Sequence, residues 1–146
     1  MAITTNAIAN SFKKELLEAK HNFTQTSGDQ FKIALYTNSA TLGKSTTSFT
    51  TDHQVSNTGQ YTSGGGKLAK GSQQTSVASS VAIVDFADRS FTGVTITARG
   101  ALIYNTSNSN SAVAVLDFGG DKTATAGTFT IQFPAFTTSA AILRIS

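Results

Sequence analysis

A chain of 146 residues with a formal net charge of +3 and no cysteine has room for one domain with one real core. The missing thiols exclude disulfides, thiol catalysis and thiolate metal sites together. Charged residues are 13%, about half the usual soluble fraction, and the eleven Lys and Arg are scattered, which leaves no polybasic arm for nucleic acid. Ser and Thr fill the polar positions instead. No apolar run approaches the roughly 18 residues that span a bilayer. The opening MAITTNAIANSFKK lacks the basic and apolar regions of a secretory signal. The expectation is therefore no nucleic acid, no membrane, and synthesis in a cytoplasm without export by a signal peptide.

Residues 5–20 predict the only helix. Ile8, Phe12, Leu16 and Ala19 fall at helical spacing, Phe23 continues the line, and Asn10, Lys13, Lys14 and Glu18 take the other side. Thr4 or Thr5 can cap its start. Such a helix either covers an open face or end of the sheet, or acts as an arm that docks on a neighbouring subunit. Residues 1–30 are accordingly read as a helical segment and 31–146 as a β-sandwich domain, the two making one globular unit.

After the polar turn at 26–29, FKIALY at 31–36 alternates Phe31, Ile33 and Leu35 with Lys32, Ala34 and Tyr36, a strand pattern. Residues 37–80 carry few apolar anchors. So long a loop would be unusual in a compact domain, which predicts short strands near 47–51 and 73–78 and a surface excursion, with Gly64-Gly65-Gly66 at a flexible hairpin tip. VAIVDF at 81–86 opens a more regular half. A turn at 87–90 leads to Phe91 and to a strand at 94–97, and further strands are expected at 101–104, 112–118, 128–134 and 140–146. In the best of them Phe129, Ile131 and Phe133 share one face. The connections read as polar loops at 105–111 (NTSNSNS) and 119–127 (GGDKTATAG), the second with glycine at both ends. Pro134 closes a strand where its missing N–H does least harm. Short strands at close spacing after one early helix give the fold class: mainly β, an antiparallel β-sandwich or jelly-roll-like fold with one N-terminal α-helix.

The chemistry-bearing residues point away from catalysis. Gly64-Gly65-Gly66-Lys67 is not a phosphate-binding loop, because Tyr61 stands where the leading glycine belongs and Leu68 where Ser or Thr would follow the lysine. The two histidines, His21 and His53, have no ligand-spaced partner. No Gly-x-Ser-x-Gly elbow supports a serine nucleophile. Asp85 with Asp88, and Asp117 with Asp121, are the carboxylate pairs that acid–base work or calcium would require. Each pair spans a strand end and its turn, where Asp caps local amides. Arg99 is a candidate ion-pair partner for Asp85 or Asp117. Asn22-Phe23-Thr24 and Asn105-Thr106-Ser107 match the glycosylation sequon and read as accidental. No catalytic residue, cofactor or metal ligand is assigned.

FKIALY, DFAD at 85–88, TARGALIYN at 97–105 and AVAVLDFGGDKTATAGTFTIQFP at 112–134 together resemble small virion proteins of tailed bacteriophages. The resemblance covers the C-terminal two thirds best and leaves 37–80 mostly unmatched. It implies a non-enzymatic particle component, foremost a head decoration (cement) protein that binds the major capsid protein and forms a homo-oligomer, with a trimer favoured. The alternative within it is a tail, tail-tip or fibre-associated component that binds a receptor or glycan through the loops at 105–111 and 119–127. Either way the protein would reside in the virion and leave the host by lysis.

Overall fold

A computed structural model describes residues 3–69 and 74–146. The chain is mainly β, with antiparallel sheets and one short N-terminal helix. In order it runs β1 (Ala7–Ile8), α1 (Asn10–Leu17), β2 (Phe31–Tyr36), β3 (Gly66–Lys67), β4 (Gln74–Ala78), β5 (Val81–Asp85), β6 (Arg89–Asn105), β7 (Ser111–Ile131) and β8 (Leu143–Ile145). A five-stranded sheet has the order β1-β7-β6-β2-β3, and a three-stranded sheet the order β4-β5-β8.

The centre of the large sheet is where β2, β6 and β7 lie side by side. β2 pairs with β6 from Phe31↔Asn105 to Tyr36↔Gly100, and β6 pairs with β7 from Asn105↔Ser111 to Gly100↔Asp117. Ile33 through Tyr36, Ala101 through Tyr104 and Ala112 through Val115 are all buried, so this part of the sheet is covered on both faces. On the Phe31 face, Phe23 stacks on Phe31 at 4.5 Å, and Phe86 joins both. On the opposite face, Phe49 stacks on Tyr104 at 4.7 Å and the Tyr36 hydroxyl donates to the Thr50 carbonyl. The segment between β2 and β3 therefore closes the second face of the core. Within it, the short strand expected at 47–51 is reduced to one bridge, Ser48↔Ser111. The strand expected at 73–78 is β4, apart from residue 73, which lies outside the described residues.

Three expectations are corrected. The helix does not span 5–20. Ala7 and Ile8 instead pair with Val115 and Ala114 on the edge of β7, because an open strand edge satisfies their backbone groups directly. The helix then starts after Ala9, which supplies no side-chain cap, and stops at Glu18 before Ala19 turns to φ 57°. Neither Thr4 nor Thr5 caps it.

The second correction concerns the loop expected at 119–127. Those residues are part of β7, which pairs with β6 out to Arg89↔Ile131. The irregularity that the glycines signal is a bulge: the register passes from Gly100↔Asp117 directly to Ala98↔Lys122, setting the four residues 118–121 against Arg99 alone, with Gly119 at φ 80°. Beyond it the Thr and Ala residues form a ribbon with two further register shifts, between Phe91 and Val94 and between Val94 and Ile96, and with hydroxyl pairs Thr97–Thr123 at 3.0 Å and Ser90–Thr130 at 2.8 Å. The separate strands expected at 94–97 and 101–104 are likewise one strand, β6.

Third, Gly64-Gly65-Gly66 is not a flexible tip. Gly64 accepts from the Tyr104 hydroxyl at 2.6 Å, and Gly65 lies so close to β2 that a Cβ there would sit 1.8 Å from the Ile33 carbonyl oxygen. The glycines let this turn press against the sheet.

The N-terminal segment shares the main core. Ile3, Ala9, Phe12 and Phe23 are buried in the same cluster as Phe31, Leu102 and Leu143.

Candidate functional site

The candidate carboxylates are each engaged within the fold, two by local amides and two by distant segments. Asp85 is buried and accepts the Phe86 N–H at 2.9 Å. Burial pushes its carboxyl above the ordinary range, the Phe86 amide offsetting part of this. Asp88 accepts the Phe133 N–H at 2.8 Å, tying the start of β6 to the end of β7. Asp117 accepts the Gly119 N–H at 2.8 Å and forms an ion pair with Arg99. The Gly119 amide, then the guanidinium, hold its carboxyl below the ordinary value. Asp121 accepts from the Asn38 amide at 3.1 Å. Asp85 and Asp117 thus cap local amides as expected, Asp88 and Asp121 make long-range contacts instead, and Arg99 takes Asp117 rather than Asp85. Among the described residues, no group of three or more His, Cys, Asp or Glu side chains is arranged to hold a metal ion.

Sequence reading treated the two histidines alike, and the fold separates them. His53 lies exposed in a turn at φ 59°. His21 is buried, 4.8 Å from the Phe12 ring and stacked towards Phe31. Its Nε2 lies 3.2 Å from a Glu15 carboxylate oxygen, and its Nδ1 lies 3.0 Å from Asn105 Nδ2. Asn105 Nδ2 also donates to Asp29 at 2.7 Å, and its Oδ1 accepts the Ser107 N–H at 2.9 Å. Those two contacts fix the amide orientation, so Nδ1 of His21 is an acceptor and Nε2 carries the proton. Burial holds the imidazole below its ordinary value, against the opposing influence of Glu15.

This polar node joins residues 84 apart in sequence, and no spacing signal could have announced it. It also changes the reading of 105–111, which is no plain connector. Asn105 closes β6 in the core, and Thr106 donates from its backbone to the Gln30 carbonyl. With Asn105 fully buried, that sequon offers no amide for glycosylation.

Two concave surfaces stand out among the described residues. A trough of about 660 Å³ runs beside the outer edge of β7, with Thr128, Thr130 and Gln132 alternating with Phe129 and Phe133 along it. A second, of about 490 Å³, lies between α1 and the small sheet. Phe12 and Leu16 form one wall, Ala82, Val84 and Leu143 the other, and Lys13 and Arg144 also line it. Leu17, at 91% exposure, and Ile145, at 60%, stand at this groove uncovered. Large apolar groups left in water together mark a contact surface more often than a chemical one.

Among the described residues, no helix is long and apolar enough to cross a membrane. Comparison with family models, with curated proteins and with solved structures gives no match for this chain. The class that the fold and its surfaces define is therefore a mainly β domain with an open apolar groove.

Proposed function

We propose that this chain is a non-enzymatic structural component of a tailed-bacteriophage virion, a head decoration protein that binds the capsid lattice as a homo-oligomer, with a trimer as the favoured state. One observation carries the non-enzymatic part: each of the four aspartates placed to do chemistry already accepts a hydrogen bond within the fold, Asp85 and Asp117 from amides of their own turns, Asp88 from the distant Phe133 N–H and Asp121 from the distant Asn38 side-chain amide. The assignment to a particle draws on the sequence resemblance, and the exposed apolar groove supports a protein whose work is contact. In this reading the rigid sheet buries surface across joints between capsid subunits. It adds binding energy to the assembled shell only, through contacts repeated around a symmetry axis.

The test is to purify particles made without this chain and challenge them with heat and chelator. They should release their genome at lower temperature than complete particles. Equal resistance, or a map of the complete particle with no density for this chain on the head, overturns the proposal.

The trough beside β7 favours a second reading, a tail or fibre component that binds a glycan, because hydroxyl and amide groups there sit beside phenylalanine rings. Binding on a glycan array, with loss of adsorption but not of particle stability on deletion, would select it.

A further inference from the structure

We propose that the outer edge of β4 pairs with the same edge of a second copy of this chain, antiparallel and two-fold, with Thr75 of each copy opposite Val77 of the other. The β4–β5 hairpin sets which backbone groups are free to do so. Its two strands are joined by Ser79 and Ser80 alone, at φ 49° and 63°, the left-handed values of a type I′ turn. Such a turn makes its flanking residues, here Ala78 and Val81, the hydrogen-bonded pair that closes it. Pairs alternate from there along an antiparallel ladder. Ala78 and Ser76 therefore direct their backbone N–H and C=O groups to β5, and Val77 and Thr75 direct theirs away from it. β4 is the outer strand of its sheet, and residues 75–78 are all exposed.

That parity makes the edge complementary to itself. About a two-fold axis at Ser76, the outward groups of Thr75 meet those of Val77 in the second copy, and Val77 meets Thr75. Each pair exchanges two hydrogen bonds, about four in all, and the two small sheets become one. The side chains agree with this register. Thr75 and Val77 share one face of the strand, so β-branched groups of the two copies lie side by side, and Val77, 71% exposed, gains a neighbour. Residues 74–78 contain no charge, proline or glycine, so nothing repels a second copy or turns the edge aside. The remaining edges among the described residues are shorter, interrupted or bordered. β1 and β3 have two residues each, and β3 sets Lys67 opposite Lys32. β8 has three, with Arg144 at their centre. β7 beyond β1 is broken by the bulge at 118–121, by Asp121 and Lys122, and by the shift near Gly127. The free side of β6 is bordered by the turn at 58–60. An unrelated strand would have to match this edge afresh, whereas a second copy matches it in register, charge and side chains at once.

The chain has no cysteine, so a single introduced one reports the register. Ser76 faces itself across the axis at the Cα spacing of about 4.5 Å of a non-hydrogen-bonded pair, within the reach of a disulfide. Ala78 lies about 13 Å along the edge from Ala78 of the second copy. Under mild oxidation the full chain carrying Ser76→Cys should run as a cross-linked dimer on a non-reducing gel, and Ala78→Cys should not. In sedimentation equilibrium the parent should double its mass as concentration rises. Val77→Pro removes an outward N–H at a position where an edge strand accepts proline. It deletes two hydrogen bonds per dimer and should weaken the association by about tenfold or more. Val77→Lys leaves the backbone intact, sets like charges diagonally across the joint and should act in the same direction. Circular dichroism and urea midpoints equal to the parent's, taken at low concentration, show that the variants fold; where the proline variant does not, the lysine variant decides. The proposal is overturned by a mass that never doubles, by an association that the folded variants leave intact, or by equal cross-linking at 76 and 78. The inference deepens the homo-oligomeric part of the virion reading without resting on the particle: absence of the chain from the virion would sink that reading and leave the two-fold contact standing.

Discussion

Gly65 has φ 78°, and the space where its Cβ would stand is taken by the Ile33 carbonyl. Gly65→Ala should therefore lower stability by more than about 1 kcal/mol, the usual effect of alanine at an incompatible backbone position. Gly120→Ala, where a Cβ meets nothing within 4 Å, should stay within about 0.5 kcal/mol. Urea midpoints of the two variants check the contrast. His21 gives a prediction with a sign. Its imidazole is held below its ordinary value of 6.5 in the fold, so in the window below 6.5 the unfolded chain binds the proton more readily. The stability owed to neutral His21 is complete above that value and declines as pH falls towards the folded one. A second proton would also sit on Nδ1 facing the Asn105 amide, which cannot accept it. His21→Gln should flatten this part of the profile, and thermal unfolding midpoints across the window would show whether it does.

At the scale of elements, the β6–β7 hairpin has two unlike halves. From Gly100 to Asn105, β6 lies between β2 and β7, and from Ser111 to Val115 β7 is buried or paired on its far side by β1 and the 47–48 segment. From Arg89 to Ala98 the hairpin is a two-stranded ribbon with register shifts, steadied on one side by the turn around Gly59 through Gln60 and Thr58. Amides of 122–131 should exchange with deuterium well before those of 101–104 and 112–115. Equal protection in both halves would contradict this account of the sheet.

The same division explains what the sequence disclosed. Ala112 through Val115, and the alternation of Phe129 and Ile131, were readable because burial on a pleated sheet imposes apolar residues at a fixed period. The continuation of β7 through Gly119–Gly127 was not. Glycine, Asp and Lys have the composition of a loop, and only the partner strand turns them into a bulge. The helix was over-read for a related reason. Ile8 fits the helical spacing of Phe12 and Leu16 equally well when it belongs to a strand just before them. Local capping was legible from turn position for Asp85 and Asp117, whereas Asp88 and Asp121 instead take partners 45 and 83 residues away. The His21–Asn105 node and the groove beside α1 were not, since both depend on contacts between distant segments.

Considered whole, the molecule is closed at one edge by its beginning. Ile3 packs against Gly100, where an added Cβ would meet its side chain at 2.7 Å, and Asn6 accepts the Asp117 N–H at 2.6 Å. Ala7 and Ile8 extend the sheet beyond β7. Removing residues 3–9 should bare that edge and a strip of apolar sheet at once. The shortened protein should melt lower and associate with rising concentration, because an unguarded strand edge pairs with others of its kind. Sedimentation velocity over a concentration series would register the change; a shortened protein that stays monomeric and equally stable would show that this edge needs no cover.

That closure has a consequence for the order of events during synthesis. Asn6 and its partner Asp117 are 111 positions apart, so residues 3–9 leave the ribosome long before the part of the sheet that they close is made. Until then Ile3 and Ile8 lack the strands that they pack on, whereas the β6–β7 hairpin, joined by a short turn, can form as soon as it emerges. The nascent chain carries this apolar segment uncovered until β7 is made. Slowing the ribosome before residue 111 should lengthen the time that this segment is open to chaperones and proteases.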